Sequence, residues 1–443
     1  MSNATTPPTK GHFIALLPLL LFLALFIGAG VYFQLAGKDY AFYQIPAPVA
    51  IIPAIMLAIL LSKQKLNQAL ETFMAGIGHS NIIAMCLIYL LAGAFAAVAK
   101  ATGGVDATVA LGLQFIPAQF LLPGFFIIAA FIATAMGTSM GTIAAVAPIA
   151  FGISEEANIS HVLMAGAVMS GALFGDNLSI ISDTTIAATR TQGCGMKEKF
   201  RENLVFSLPS ALITLVLFAL VSKGQAQVTP ADVDVIAVLP YLSILLLALL
   251  GVNVFVVLTI GIVFAGVTGM VSTDYEFLKF TQDIYEGFKN MLEIFVLSMF
   301  VGGLAALMQQ QGGLSFVSGV MEKLIQRFSR KQGDASCRAA EFGMAGIVAM
   351  TNACVANNTV SIVVSGDIAK QLAEKHEVSA KRAASVLDIF ACVVQGLIPY
   401  GAQALMIASY FKISPLQAVS CVWYCIILAI VSLAVIFFRP RSD

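Results

Sequence analysis

The chain is organised by the stretches that lack Asp, Glu, Lys and Arg, because a membrane-spanning helix needs about 20 such residues in a row. Long charge-free runs lie between Lys10 and Lys38, Asp39 and Lys63, Glu71 and Lys100, Asp106 and Glu155, Glu156 and Asp176, Glu202 and Lys223, Asp234 and Asp274, Glu293 and Glu322, Glu341 and Asp367, Asp388 and Lys412, and Lys412 and Arg439. They predict an all-α polytopic membrane protein. The apolar part of the first run, residues 12–33, is too long for the h-region of a cleavable signal peptide and leads into further spans, so it is expected to be the first transmembrane helix.

Lys and Arg cluster at residues 63–65, 190–201, 323–338, 370–382 and 439–441, and the positive-inside rule makes these segments cytoplasmic. The apolar run from Glu341 to Asp367 then has basic clusters at both ends. One straight helix cannot begin and end on the same side, so this run reads as a re-entrant hairpin, tolerated at membrane depth only when buried in protein or lining a cavity.

Composition narrows the class. Of 443 residues, 59% are apolar and 11% charged, and 24 basic residues balance 24 acidic ones. Soluble domains carry roughly a quarter charged residues, and nucleic-acid binders need a basic surface, so both classes are excluded. The seven cysteines form no even ladder and no metal-like spacing, and imply no disulfide framework. Cys421 and Cys425, one helical turn apart on an apolar segment, read as packing residues.

The chain also matches itself. Gly78, Asn81, Gly93, Gly103 and Gly104 correspond to Gly287, Asn290, Gly302, Gly312 and Gly313 at one offset of 209, with apolar residues matching between them. The cytoplasmic loop at 370–382 corresponds to about 151–163, which holds Glu155 and Glu156 and no basic residue; the one at 190–201 corresponds to about 409–420, which holds only Lys412. Opposite charge bias in equivalent loops is the signature of two inverted-topology repeats. Each repeat reads as about five transmembrane helices plus one re-entrant helical hairpin, with both termini cytoplasmic. The N-terminal repeat is placed at 1–229, with its hairpin at about 118–153 and a broken helix at about 161–188. The C-terminal repeat is placed at 230–443, with its hairpin at about 341–366 and a broken helix at about 383–410, and residues 230–239 mark the connection. Lys279 and Lys289 then face outward, diluted by Asp274, Glu276, Asp283 and Glu286.

In transporters of this kind, sites form where helices break near the midplane and free their ends and backbone carbonyls. Four segments have that composition: Met136-Gly-Thr-Ser-Met-Gly-Thr142, Thr351-Asn-Ala-Cys-Val-Ala-Asn-Asn-Thr359, Gly175-Asp-Asn-Leu-Ser-Ile-Ile-Ser-Asp-Thr-Thr185 and Gln395-Gly-Leu-Ile-Pro-Tyr-Gly-Ala-Gln403. A charge at mid-membrane costs at least about 2.5 kcal/mol, so Asp176 and Asp183 are the sharpest signal. In an intact helix they share a face with Ser179 between them. The candidate ion- and proton-binding residues are therefore Asp176, Asn177, Ser179, Ser182, Asp183 and Thr184. The hairpin tips contribute Thr138, Ser139, Thr142, Asn352, Asn357, Asn358 and Thr359 toward an ion or a substrate. The broken helix of the second repeat adds Asp388, Gln395 and Gln403, with Gln395 falling near Asp176 in the repeat register. Asp388 also admits a bland reading as a paired or snorkelling carboxylate, and Glu293, at a predicted membrane edge, reads as structural. Hydroxyl, amide and carboxylate oxygens suit a hard cation rather than a transition metal, so sodium or a proton is the expected coupling ion, with sodium at Asp176, Asn177, Ser139 and Asn357. A lone carboxylate that holds a proton or a sodium ion, but not both, suffices for exchange.

Residues 171–190, with their Gly-Asp-Asn-Leu-Ser-x-Ile-Ser-Asp-Thr-Thr motif, resemble the NhaC-type sodium/proton antiporter family of the ion-transporter superfamily, and the resemblance extends over nearly the whole chain. It implies sodium/proton exchange, helical hairpins within two inverted repeats, and a homodimer with an elevator-like scaffold and mobile transport domain. No cofactor is implied beyond the transported sodium ion and proton. The partners expected are these ions and the lipid bilayer, and the location is the cytoplasmic (inner) membrane. Relatives of the family that carry organic acids or amino acids keep a small organic substrate open as the alternative, since the amide-rich hairpin and its helix ends suit a carboxylate. A channel is a third class, disfavoured by the repeats. An enzyme is the least supported, because no nucleophile, metal-cluster or phosphate-loop pattern stands out.

Overall fold

The computed structural model describes residues 11–36, 44–115, 117–180, 182–222, 235–250, 252–328 and 334–438. Arg439 and Arg441, residues 230–234 of the connection and residues 329–333 of a basic cluster lie outside them. The described residues are helical throughout, with no strand. The first half runs α1 (Leu17–Leu35), α2 (Ala47–Ala50), α3 (Ile52–Leu61), α4 (Leu66–Ile77), α5 (Ser80–Ala101), α6 (Gly104–Phe115), α7 (Leu121–Met136), α8 (Ser139–Glu156), α9 (His161–Leu178), α10 (Asp183–Gln192) and α11 (Met196–Val221). The second half runs α12 (Val235–Leu249), α13 (Val254–Ser272), α14 (Phe277–Asn290), α15 (Leu292–Gln310), α16 (Gly313–Phe328), α17 (Asp334–Val355), α18 (Asn358–Lys375), α19 (Ala380–Leu397), α20 (Ala402–Phe411), α21 (Pro415–Ser420) and α22 (Trp423–Phe438).

Seven segments among the described residues are long and apolar enough to cross a membrane: Phe13–Phe33, Ser80–Ala101, His161–Gln192, Met196–Val221, Val254–Ser272, Leu292–Gln310 and Ala380–Phe411. Shorter apolar helices occupy Ala47–Leu61, Leu121–Met136, Ile236–Leu247 and Trp423–Phe438. The exposed surface carries Leu60, Phe131, Leu220, Val271 and Ile430. Such residues face hydrocarbon in a multi-pass membrane protein, while the interior holds Ser, Thr, Asn, Gln and charged side chains.

Where the helices break is set by local chemistry. Between α7 and α8 the turn passes through Gly137 at φ +69°, and Thr138 caps α8 by accepting the Gly141 N–H. Between α17 and α18 it passes through Ala356 at φ +52°, and Asn357 caps α18 by accepting the Val360 N–H at 3.0 Å. The interval 118–153 thus holds two antiparallel arms, and 341–366 lies within a second, longer pair. Within 161–188 the helix stops at Leu178 and restarts at Asp183, with Ser182 as the new cap. Within 383–410 it stops at Leu397 and restarts at Ala402. Asp176 and Asp183 therefore do not share one continuous helix face; the break separates them.

Left-handed backbone recurs at fixed spacing. The eight positive-φ residues among the described ones form four pairs: Gly103 and Gly312 at offset 209, then Gly137 and Ala356, Asn158 and Glu377, and Gly193 and Lys412, all at offset 219. The second half is thus ten residues longer ahead of its hairpin. Packing recurs too: α5 lies on α14, and α15 lies on α4. Gly93 and Gly287 form the first crossing and Gly76 and Gly302 the second; a Cβ at Gly93 or Gly287 would collide with the other's carbonyl oxygen. Small residues are what allow helices to approach this closely within a membrane. Gly171 and Gly175 of α9 do the same against the backbones of Phe126 and Ala130 on α7, which seats Asp176 beside the first hairpin.

Candidate functional site

All four breaks meet at one cavity of about 110 Å³. It is lined by Gly137, Thr138, Ser139 and Met140 at the start of α8, Asp176 on α9, and Asp183 and Thr184 at the start of α10. Ala356, Asn357, Asn358 and Thr359 at the start of α18, Gln395 on α19 and Gln403 on α20 complete its polar wall, and Asn81, Ala84, Met85 and Ile88 of α5 close it.

Asp176 is 7% exposed. Its Oδ2 accepts the Ser139 hydroxyl at 2.8 Å and the Ser139 N–H at 3.4 Å, so the carboxylate sits at the positive end of α8. The Ser139 hydroxyl in turn accepts from Gln403 Nε2 at 3.2 Å, and Gln403 Oε1 accepts from Gln395 Nε2 at 2.7 Å. A chain of hydrogen bonds therefore runs from Asp176 across the first hairpin to the broken helix of the second half. Gln395 Nε2 also donates to the Ala356 carbonyl at 3.3 Å; with two acceptors around its nitrogen the amide has one orientation, and its buried Oε1 has no partner.

Of the residues expected from the sequence, Thr138, Ser139, Asp176, Asp183, Thr184, Asn357, Asn358, Thr359, Gln395 and Gln403 line the cavity. Six do not. Asn177 donates its amide to the Tyr424 hydroxyl at 3.0 Å and is not among the lining residues. Ser182 caps α10, Ser179 offers its carbonyl to the Thr185 hydroxyl at 2.8 Å, and Thr142 bonds back to the Thr138 carbonyl at 3.0 Å. Asn352 donates to the Ala391 carbonyl at 2.7 Å, bracing α17 against α19.

Asp388 lies behind the cavity in a buried charge cluster that the sequence does not announce. Its Oδ2 is 2.7 Å from Lys199 Nζ and accepts from Asn203 Nδ2 at 2.8 Å; Lys199 and Asp388 are each 1% exposed. Lys199 also donates to Thr185 Oγ1 at 2.7 Å and to the Asn177 carbonyl at 3.3 Å, and Asn203 donates to that carbonyl at 2.8 Å. The ammonium therefore ties both sides of the α9–α10 break to α19. Lys199 reads from sequence as one of a basic cluster, with nothing local to mark it as buried; the nearest sequence signal was the charge of Asp388 in an apolar run. A second buried cluster joins Arg382 to Glu341 through Nε at 3.0 Å and Nη2 at 2.9 Å, and to Glu202 through Nη1 at 3.0 Å, with the guanidinium over the Phe206 ring.

Comparison with known proteins agrees with the motif at 171–190. A family model described as the Na+/H+ antiporter family matches twice, over residues 8–223 and 205–439. The malate-2H+/Na+-lactate antiporter of Bacillus subtilis (strain 168) is 23% identical over 423 residues, covering 89% of this chain and 90% of that protein. The Na+/H+ antiporter NhaC of Alkalihalophilus pseudofirmus is 27% identical over 347 residues, covering 73% and 75%. The NhaC of Bacillus subtilis (strain 168) is 26% identical over 398 residues, covering 82% and 84%. With the family model matched over nearly its whole length, the chain belongs to the NhaC-type Na+/H+ antiporter family.

Proposed function

We propose that this chain exchanges sodium for protons across the cytoplasmic membrane by alternating access, with Asp176 as the group that holds either ion. The observation that carries the reading is the seat of Asp176: a buried carboxylate on a cavity where four helix breaks meet, hydrogen-bonded to Ser139 at a hairpin tip. Sodium takes hard oxygen ligands, here the Asp176 carboxylate and the Ser139 hydroxyl, and its arrival displaces the proton. Inverted repeats supply the two access states. Supporting that part are the four paired left-handed positions, the reciprocal crossings of α5 on α14 and α15 on α4, and contacts between equivalent residues. Ser298 bonds to Tyr89 and Cys86 to the Phe295 carbonyl, both at offset 209, and Cys392 bonds to the Leu173 carbonyl at offset 219. Equivalent residues touch each other only near a two-fold axis.

The test uses purified protein in liposomes with an enclosed pH-sensitive dye. Sodium addition alone moves the dye with the native chain, and Asp176→Asn abolishes the response. Full exchange by Asp176→Asn would remove Asp176 from the mechanism. A second reading, sodium- or proton-coupled transport of an amino acid or organic acid, is favoured by the cavity, which has room for roughly four waters rather than one bare ion. The similarity to the malate-2H+/Na+-lactate antiporter of Bacillus subtilis points the same way.

A further inference from the structure

The two halves treat their hairpin tips differently. In the first, the N-terminus of α8 is already occupied by a carboxylate of the chain itself: Asp176 accepts the Ser139 N–H and hydroxyl. In the second, Asn358 stands where Ser139 stands and Gln395 where Asp176 stands, both at offset 219. Gln395 is neutral and turns its nitrogen toward the Ala356 carbonyl in the turn before α18. The first turn of α18 contains no acidic residue; its capped N–H groups, those of Thr359 and Val360, bond to the Asn358 and Asn357 side chains. This 18-residue helix thus presents its positive end to the cavity without the carboxylate that its counterpart has.

A second feature of the same wall points to a ligand. Gln395 Oε1 is buried, the residue being 1% exposed, and has no hydrogen-bond partner. Leaving a buried acceptor unpaired costs about 1–3 kcal/mol, which a donor from a bound solute would recover. Asp183, exposed where it lines the cavity, and Asp176 add negative charge to the same side. The cavity therefore has a positive end at Asn358 and a wall of acceptors at Gln395, Asp176 and Asp183.

The geometry points to a binding site for a zwitterionic α-amino acid, its carboxylate on the N-terminus of α18 at Asn358 and its ammonium toward Gln395 Oε1 and the Asp176 and Asp183 carboxylates. The inference rests on the second reading of this cavity and gives its substrate class. An ammonium, rather than a hydroxyl, is the donor because two carboxylates line the wall. The ligand carboxylate supplies the charge that Asp176 supplies in the other half.

The experiment measures equilibrium binding of the twenty common L-amino acids, radiolabelled, to the purified full chain in detergent with saturating sodium. Lactate and 2-aminoethanol are run beside alanine and serine, since each lacks one of the two charged groups. At least one amino acid is expected to bind. For that amino acid, the analogue lacking the carboxylate and the analogue with hydroxyl for ammonium should each bind at least tenfold more weakly. Gln395→Leu, which removes the unpaired amide oxygen, should lose amino-acid binding at least tenfold, with thermal melting confirming that the variant is folded; if it is not, the analogue series decides. No binding by any of the twenty, or equal binding of either edited analogue, overturns the inference. The sodium-only dye response recorded on the same preparation separates the two readings: a chain that exchanges sodium for protons yet binds no amino acid sinks the inference and leaves the antiporter standing. A chain silent to sodium alone that responds once an amino acid is added supports the inference and overturns the sodium-only reading.

Discussion

The Lys199–Asp388 pair predicts a specific non-additivity. In Lys199→Met the ammonium goes, and three oxygens lose a donor: Asp388 Oδ2, Thr185 Oγ1 and the Asn177 carbonyl. All three keep another partner, but only Asp388 carries a charge. Thr185 Oγ1 retains the Ser182 hydroxyl, and the Asn177 carbonyl retains Asn203 Nδ2. The cost therefore concentrates on Asp388, which keeps the Asn203 amide on Oδ2 but already has no partner on Oδ1. Breaking a buried ion pair by removing one partner costs about 3–5 kcal/mol, because the remaining charge stays desolvated. Adding Asp388→Asn removes that charge while preserving shape, so the double variant should recover a coupling of about 2–3 kcal/mol, the upper part of the range for residues in one network. Both single variants, the double variant and the native chain are compared by SDS titration and by thermal melting in the same detergent. If the losses simply add, or if Lys199→Met alone costs under about 1 kcal/mol, the pair is not the structural tie across the α9–α10 break.

Four further outcomes follow from other sites. Arg382→Lys should destabilise by about 2 kcal/mol, since an ammonium cannot span both Glu341 and Glu202 with a planar fork, and Arg382→Met by about 3–5 kcal/mol, read by the same melts. Gly175→Val should reduce folded yield sharply in size-exclusion profiles, because its Cβ meets the Ala130 carbonyl on α7, whereas Gly124→Ala, where nothing lies within 4 Å, should be silent. Ala356→Gly should raise stability by up to about 1 kcal/mol: a left-handed L-residue costs about 1–2 kcal/mol, and the added glycine entropy returns about half of that. Gln403→Leu, which cuts the chain between Gln395 and Ser139, should raise the sodium concentration needed for half-maximal dye response severalfold while Asp176 stays in place.

The helical, membrane-embedded class was legible because charge-free runs of span length have only one stable solution in lipid. The breaks were legible because their composition is unusual: hydroxyls and amides at 136–142, 351–359, 175–185 and 395–403 have no place in an intact apolar helix. Ten of the fifteen residues singled out from these segments line one cavity. What the sequence does not carry is side-chain direction. Asn177 adjoins Asp176 but points to Tyr424, a residue 247 positions away, and no local pattern encodes that. Lys199 and Arg382 were illegible for a related reason: in a basic cluster each looks like an anchor, and only tertiary contact with Asp388, Glu202 and Glu341 reveals a buried counter-ion.

The asymmetry between the related positions follows from electrostatics. If Gln395 were a carboxylate matching Asp176, a third like charge would face the small cavity that Asp176 and Asp183 already line, linked to Asp176 through Gln403 and Ser139, and each of the two linked groups would oppose ionisation of the other. With a glutamine in the second half, a single carboxylate holds the first hairpin through Ser139, and the hydrogen-bond chain continues through neutral amides. That leaves α18 with no acidic residue in its first turn and the amide oxygen of Gln395 unpaired. On the proposed reading, such a site takes a cation at Asp176 and an anionic group at Asn358. A strictly symmetric pair of tips would satisfy both of its helix ends internally and leave nothing for a solute to complete.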